Sequence, residues 1–277
     1  MRALAEGLGV RIEARPLLVE ASLASSTQWA DDEPSWTVLI DSDRFGVTNE
    51  MINQESPNTP LPARLRTTIA HELLHSMSFR KGADGFELNV RRRKGESKSD
   101  HLLRIERETE RLSPLLLIAE QAIKNLAAKA KLTIADFLEL RTRCSVSREV
   151  LINRFSLLER DDSLLHRTGL ENIAIGILAR QREKTFHLMP WPLFSNFDRN
   201  RLPWFIRALA KHQPIEVSQV VRDPSFVLNG GEELEIALSG HDDREALDYM
   251  KMQVCFSIET VNPSKLSSCL FFVRKCS

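Results

Sequence analysis

Apolar positions along the chain fall into three textures. In "ALAEGLGVRIEA" a helix end, a glycine-containing turn and a strand follow one another, and "SWTVLIDS" has the Trp, Val and Ile content of a second strand. A polar, proline-containing stretch from Asn49 to Pro62 is predicted as a loop. Beyond it, Leu65, Ile69, Leu73 and Met77 recur at helical spacing and predict an amphipathic helix over "LPARLRTTIAHELLHSMSF". Residues 82 to 100 mix Gly, Ser and charge with little apolar periodicity and are predicted as a mobile loop, its "RRRK" run a solvated segment.

Helical periodicity returns from Leu102 to about Lys131, with Leu112, Leu115, Leu116, Ala119 and Ile123 as the apolar face and Leu102 and Ile105 extending it upstream; a kink is expected near Pro114. Residues 132 to 160 resemble two or three short helices with Thr133 and Ser147 as N-caps, a pattern compatible with a helix-turn-helix, although few basic side chains fall on the second helix. After Glu171, "IAIGILARQ", "TFHLMP", "LEIALSG", "VCFSIETV" and "CLFFVRK" have strand character, with a helix around "RNRLPWFIRALAKH". The expected fold class is α+β in three parts: a domain over 1–128 carrying a small sheet, a helix-turn-helix-like segment over 129–165, and a C-terminal α+β domain over 166–277.

Composition narrows the classes of function. At 277 residues, 42% apolar and 27% charged, the chain has the make-up of a soluble globular protein. Its 38 basic and 38 acidic residues cancel, so no whole-chain field attracts nucleic acid or an anionic membrane. The opening residues lack a secretory pattern and no stretch is long and apolar enough to span a bilayer, so a cytoplasmic location is expected. Cys144, Cys255, Cys269 and Cys276 form no CxxC pair and suit reduced thiols better than a thiolate metal site. Tyr249, the only tyrosine, has no neighbour that gives it a role.

The strongest chemical signal is "HELLH". With 7 His and at most 38 Glu in 277 residues, a His-Glu-x-x-His arrangement arises by chance about 0.02 times. Residues four apart on a helix stand one above the other, so His71 and His75 can converge on one zinc ion. Glu72, about 100° around the helix, lies close enough to take a proton from water without being a ligand. A catalytic zinc usually has three protein ligands. A His-x-x-Gly-x-x-His continuation is excluded, because Ser78 and Lys81 stand at its Gly and final His positions. A glutamate on the later helix "RIERETERLSPLLLIAEQAI" remains, with Glu106, Glu108 and Glu110 as candidates and His101 as a weaker one. Helical phase sets Glu106 and Glu110 beside the apolar face and turns Glu108 toward solvent.

These stretches resemble the ImmA/IrrE family of metallo-endopeptidases. "LAEGLGVRIEA" and "TVLID" are similar to the family's lead-in, "TIAHELLH" to its Thr-Ile-Ala-His-Glu-Leu-x-His helix, and "ERETERLSPLLLIA" to its later Glu-x-x-Ala-Asn-x-Phe-Ala helix in length and apolar pattern. Thr109 and Glu110 stand where Ala-Asn is usual, Leu112 and Ser113 replace Phe-Ala, and Ala119 replaces a terminal Pro. The likeness covers roughly residues 3 to 158. It implies a zincin-like domain in which His71, His75 and Glu106 hold Zn2+ and Glu72 is the general base. Glu110, at the usual Asn position, would then accept a hydrogen bond from a ligand histidine or serve as the alternative ligand. It also implies a site-specific endopeptidase whose substrate is a helix-turn-helix repressor, cleaved to switch on stress-response or mobile-element genes. The C-terminal domain, GAF-like in some relatives of similar layout, would sense a small-molecule signal. The competing expectation is a non-proteolytic regulator that binds nucleic acid or a partner protein around a structural metal.

Overall fold

A computed structural model describes residues 1–25, 36–56, 58–82, 85–88, 90–129, 132–158, 172–180, 186–197, 203–220, 233–237, 253–259 and 268–275. Contacts gather the chain into two compact units, Met1–Leu117 with Arg143–Ser147, and Ile118–Thr142 with Arg148–Ser277. The fold class is α+β, as expected. The helical segment after Leu117 falls mainly in the same unit as the C-terminal sheet, because its aromatic side chains pack there.

The first unit opens with α1 (Arg2–Gly7) and β1 (Val10–Arg15), followed by β2 (Ala21–Ser25) and β3 (Trp36–Asp41). β3 is central, parallel to β1 and antiparallel to β2. β2, "ASLAS", carries too little bulk to register as a strand in the sequence. Two short helices follow, α2 (Ser42–Phe45) and α3 (Asn49–Asn53). The second corrects the expectation of a loop from Asn49: Thr48 caps it by accepting from the Met51 N–H at 3.3 Å, and Ile52 is buried.

The expected amphipathic helix is α4 (Ala63–Met77), with Leu65, Ile69 and Leu73 fully buried beside Val10, Val38 and Ile40 of the sheet. Met77 is 53% exposed, against expectation. Each four-residue step advances about 40° around a helix, so Met77 stands about 120° from Leu65 and leaves the core face. Ser76 takes the buried position, its hydroxyl donating to the Leu73 carbonyl at 2.6 Å.

Between α4 and the next long helix, β4 (Phe79–Gly82) and β5 (Gly85–Leu88) form a hairpin with Gly82 opposite Gly85, so the stretch from 82 to 100 is not one loop. Arg91, Arg92, Arg93 and Lys94 are exposed, as a solvated run should be. α5 (Lys98–Leu117) starts earlier than its leucines suggested, because Ser97 accepts from the Asp100 N–H at 3.1 Å.

The buried stripe of α5 also differs from the expected one. Ile105, Thr109, Ser113 and Leu117 are buried, whereas Leu102 and Leu115 are exposed. No break occurs at Pro114. The Glu110 carbonyl, which a residue with an N–H at 114 would bond, instead accepts the Ser113 hydroxyl at 3.1 Å. The helix ends at Leu117, and α6 (Glu120–Ala127) begins anew.

The second unit contains α6, all but the last two residues of α7 (Ile134–Cys144), and α8 (Arg148–Ser156), the last two helices starting just after the expected caps Thr133 and Ser147. Its sheet runs β8-β7-β6-β11-β10-β9, antiparallel throughout, where β6 is Ile173–Arg180, β7 Phe186–Ser195, β8 Ile215–Glu216, β9 Glu233–Ala237, β10 Gln253–Ile258 and β11 Ser268–Lys275. Two helices interrupt it, α9 (Trp204–Ala210) and α10 (Val217–Val220). "CLFFV" is a continuous apolar run because β11 is covered on both faces. Cys269, Phe271 and Val273 join Phe205, Ile206 and Leu209 of α9, while Phe272 faces Phe137 of α7 at 4.9 Å between ring centroids. Phe155 of α8 meets Phe194 of β7 at 5.7 Å on that second face.

Candidate metal centre

α4 buries one face in the sheet core and turns the opposite side, with His71 and His75, away from it. Four residues apart, the imidazoles stand at 4.6 Å between centroids, nearly perpendicular at 77°. Their Nε2 atoms approach to 3.0 Å. α5 lies against α4 and brings in Glu106, whose Oε1 is 2.9 Å from His71 Nε2 and whose Oε2 is 3.1 Å from His75 Nε2. Among the described residues this is the one group of three or more His, Cys, Asp or Glu side chains whose ligand atoms can share a metal ion, all lying within 4.8 Å of one another.

The phase of α5 explains why Glu106 arrives and Glu110 does not. Relative to the buried Ile105, Glu106 is turned by about 100° and Glu110 by about 140°, farther toward solvent. Glu110 is exposed and lies outside the group, so its expected hydrogen bond to a ligand histidine is not formed. Glu108 pairs with Arg111, whose Nε donates to it at 3.0 Å. His101 is buried elsewhere: its Nδ1 accepts from Arg104 Nη2 at 3.0 Å, and Arg104 Nε donates to Glu96 at 2.8 Å. No sequence signal announced that cluster, because Glu96, His101 and Arg104 form no recognisable spacing.

Electrostatics separates the roles of the grouped residues. Burial, reinforced by His71, holds the His75 pKa below its usual value, with Glu106 opposing. A neutral imidazole is the form that binds a metal. Burial raises the Glu72 pKa, with His71 lowering it and Glu106 raising it further. Glu72 is therefore electrostatically coupled to the group without belonging to it.

The donor set fits a zinc ion. Two imidazole nitrogens and a carboxylate are ligands zinc accepts, and at zinc–nitrogen distances of about 2.0–2.1 Å a tetrahedral pair of donors stands about 3.3 Å apart. The observed separations of 2.9 to 3.1 Å need only small adjustments. Two Nε2 atoms at this distance can share at most one proton between them, which makes a cation a natural third party. Glu106 is 47% exposed at its side chain, leaving one side of the group open.

Cys144, Cys255 and Cys269 are free thiols apart from this centre, and burial pushes the Cys269 thiol up to about 12; Cys276 and Tyr249 lie outside the described residues. Among the described residues no helix is long and apolar enough to cross a membrane. No protein-family model matches the chain, and no curated protein matches it.

Proposed function

We propose that the chain is a zinc-dependent endopeptidase of the ImmA/IrrE type, with a zincin-like first unit. The observation that carries this is the meeting of His71, His75 and Glu106, from two helices, with Glu72 beside them and outside the ligand set. Zinc held by the three residues would act as a Lewis acid toward a peptide carbonyl and make water more acidic. Glu72 takes the proton of the attacking water and passes it to the departing amine. Its raised pKa favours taking that proton from water. A structural zinc normally has four protein ligands, so three ligands with an open side support catalysis over a purely structural ion.

The substrate under this proposal is a helix-turn-helix repressor, on the strength of the sequence resemblance, and the second unit senses a signal or positions that substrate. Sequence reading by α8 has little support. Val150, Leu151, Ile152, Arg154 and Phe155 are buried, and Glu149 is the one exposed residue of the helix. An acidic exposed position repels a phosphate backbone.

Metal analysis and Glu72→Gln test the proposal together. About one zinc per chain is expected in both proteins. The variant should cleave a co-expressed repressor roughly 10²–10⁴-fold more slowly. A zinc-free wild type after reconstitution, or an unimpaired Glu72→Gln, would remove the basis of the proposal.

A further inference from the structure

Leu102 and Leu103 are 48% and 53% exposed on the first turns of α5, although the leucine pattern placed Leu102 in the core. Their position relative to Glu106 is specific. Leu102 precedes it by four residues and Leu103 by three, so they straddle its line at about −40° and +60°, one turn nearer the helix N-terminus. Side chains on a helix lean toward its N-terminus, so the Glu106 carboxylate reaches out over the turn that carries both leucines. The corresponding turn of α4 is polar: Thr67 and Thr68 donate their hydroxyls to the Ala63 and Arg64 carbonyls at 2.9 and 3.1 Å. Leu102 and Leu103 thus offer exposed apolar surface one turn from Glu106 on α5.

We infer that Leu102 and Leu103 form the specificity surface of the centre and receive a bulky apolar side chain, of the Leu, Ile, Met or Phe class, adjacent to the bond that is cut. This rests on the peptidase proposal. A helical turn rises about 5.4 Å, and successive residues of an extended peptide are about 3.3 Å apart. A peptide that has its carbonyl at His71, His75 and Glu106 and runs toward the N-terminus of α5 brings its neighbouring side chain over the two leucines. Covering them removes apolar surface that the free protein leaves in water, which favours a large aliphatic or aromatic residue over Ala or Asp.

The test uses the zinc-loaded full chain, its Leu102→Ser/Leu103→Ser double variant, and Leu115→Ser as an exposed control elsewhere on α5. Peptides differ only in Leu, Ala or Asp beside the scissile bond. Wild type and Leu115→Ser should prefer Leu over Ala by about tenfold or more in kcat/KM, and the double variant should lose this preference while retaining zinc and its rate on the Ala peptide. Equal discrimination by all three proteins overturns the inference. If no peptide is cleaved, the peptidase proposal fails by itself, and the affinities of leucine hydroxamate and glycine hydroxamate still decide this one. A wild-type preference for the leucine compound that the double variant abolishes supports the surface; equal affinities, or no binding of either, overturn it. A dimer that the double variant dissociates, with discrimination unchanged, would assign the leucines to a second copy of the chain and also overturn it.

Discussion

To bind a metal, a histidine needs a neutral ring and an aimed nitrogen, and at His75 these have separate causes. Burial and the neighbouring His71 suppress its proton, while the four-residue step on α4 and Glu106 on α5 fix where Nε2 points. Glu106 reaches the pair with both carboxylate oxygens, whereas Glu110 one turn on stays exposed. Zinc affinity should therefore collapse in Glu106→Ala, which removes one of the three proposed ligands. Glu110→Ala should stay within about threefold of wild type, less than the roughly 10–100-fold loss that a hydrogen-bonded partner of a ligand would produce. Competition titration with a chromophoric chelator measures both. A Glu110→Ala loss as severe as that of Glu106→Ala would mean that Glu110 is the ligand.

Among the elements, β6 and β11 depend on one residue without a side chain. Gly176 pairs with Phe271, and a Cβ built at 176 would lie 2.6 Å from the Phe271 ring and 3.1 Å from Leu193. Phe271 is fully buried among α9 side chains and has nowhere to turn. Gly176→Ala should lower unfolding stability by about 1–3 kcal/mol through overpacking, despite the smaller gain from a stiffer unfolded chain. Adding Phe271→Leu should recover part of that loss. Urea denaturation checks both, and a Gly176→Ala protein at least as stable as wild type would show that the ring can move. The helices divide differently: α4 was legible because its apolar spacing is regular, whereas the stripe of α5 includes Thr109 and Ser113, polar residues that no count of leucines could find.

At the scale of the whole chain, the α+β class and the textural change after Glu171 follow from local pattern, but the grouping of α7 and α8 with the C-terminal sheet depends on long-range pairs. Arg148 clasps Glu259 through two hydrogen bonds of 2.7 and 3.0 Å, and Leu270 N–H donates to the same carboxylate at 3.0 Å. Burial alone would raise the Glu259 pKa. Arg148 and the Leu270 N–H outweigh it, so the folded value lies below the ordinary one. A depressed carboxylate gives stability that is complete above the unfolded glutamate range, and it is lost as pH falls through the folded value. Urea midpoints of wild type should thus decline more steeply below the ordinary glutamate range than those of Glu259→Gln. At neutral pH the variant should be weaker by on the order of 3 kcal/mol, since Arg148 is left without its counter-charge. Parallel midpoint curves from neutral to acid pH would exclude the pair as a source of acid sensitivity.

Sequence by itself determined what depends on neighbours a few residues apart: the helix under "HELLH", the approach of His71 to His75, the place of Glu72 between them in the chain, and the strands after Glu171. Periodicity is a local property, and two histidines four apart meet wherever that helix lies. Tertiary packing decided which carboxylate completes the group, because the roll of α5 is set by Ile105, Thr109 and Ser113 together, and a shift of about 40° separates Glu106 from Glu110. It also decided that Leu102 faces solvent, and that α7 and α8 cover a sheet whose last strand lies more than a hundred residues on, as Phe137 against Phe272 illustrates. Contacts of that separation leave no period in the chain, since each joins two segments whose own patterns are satisfied by any apolar surface of the right shape.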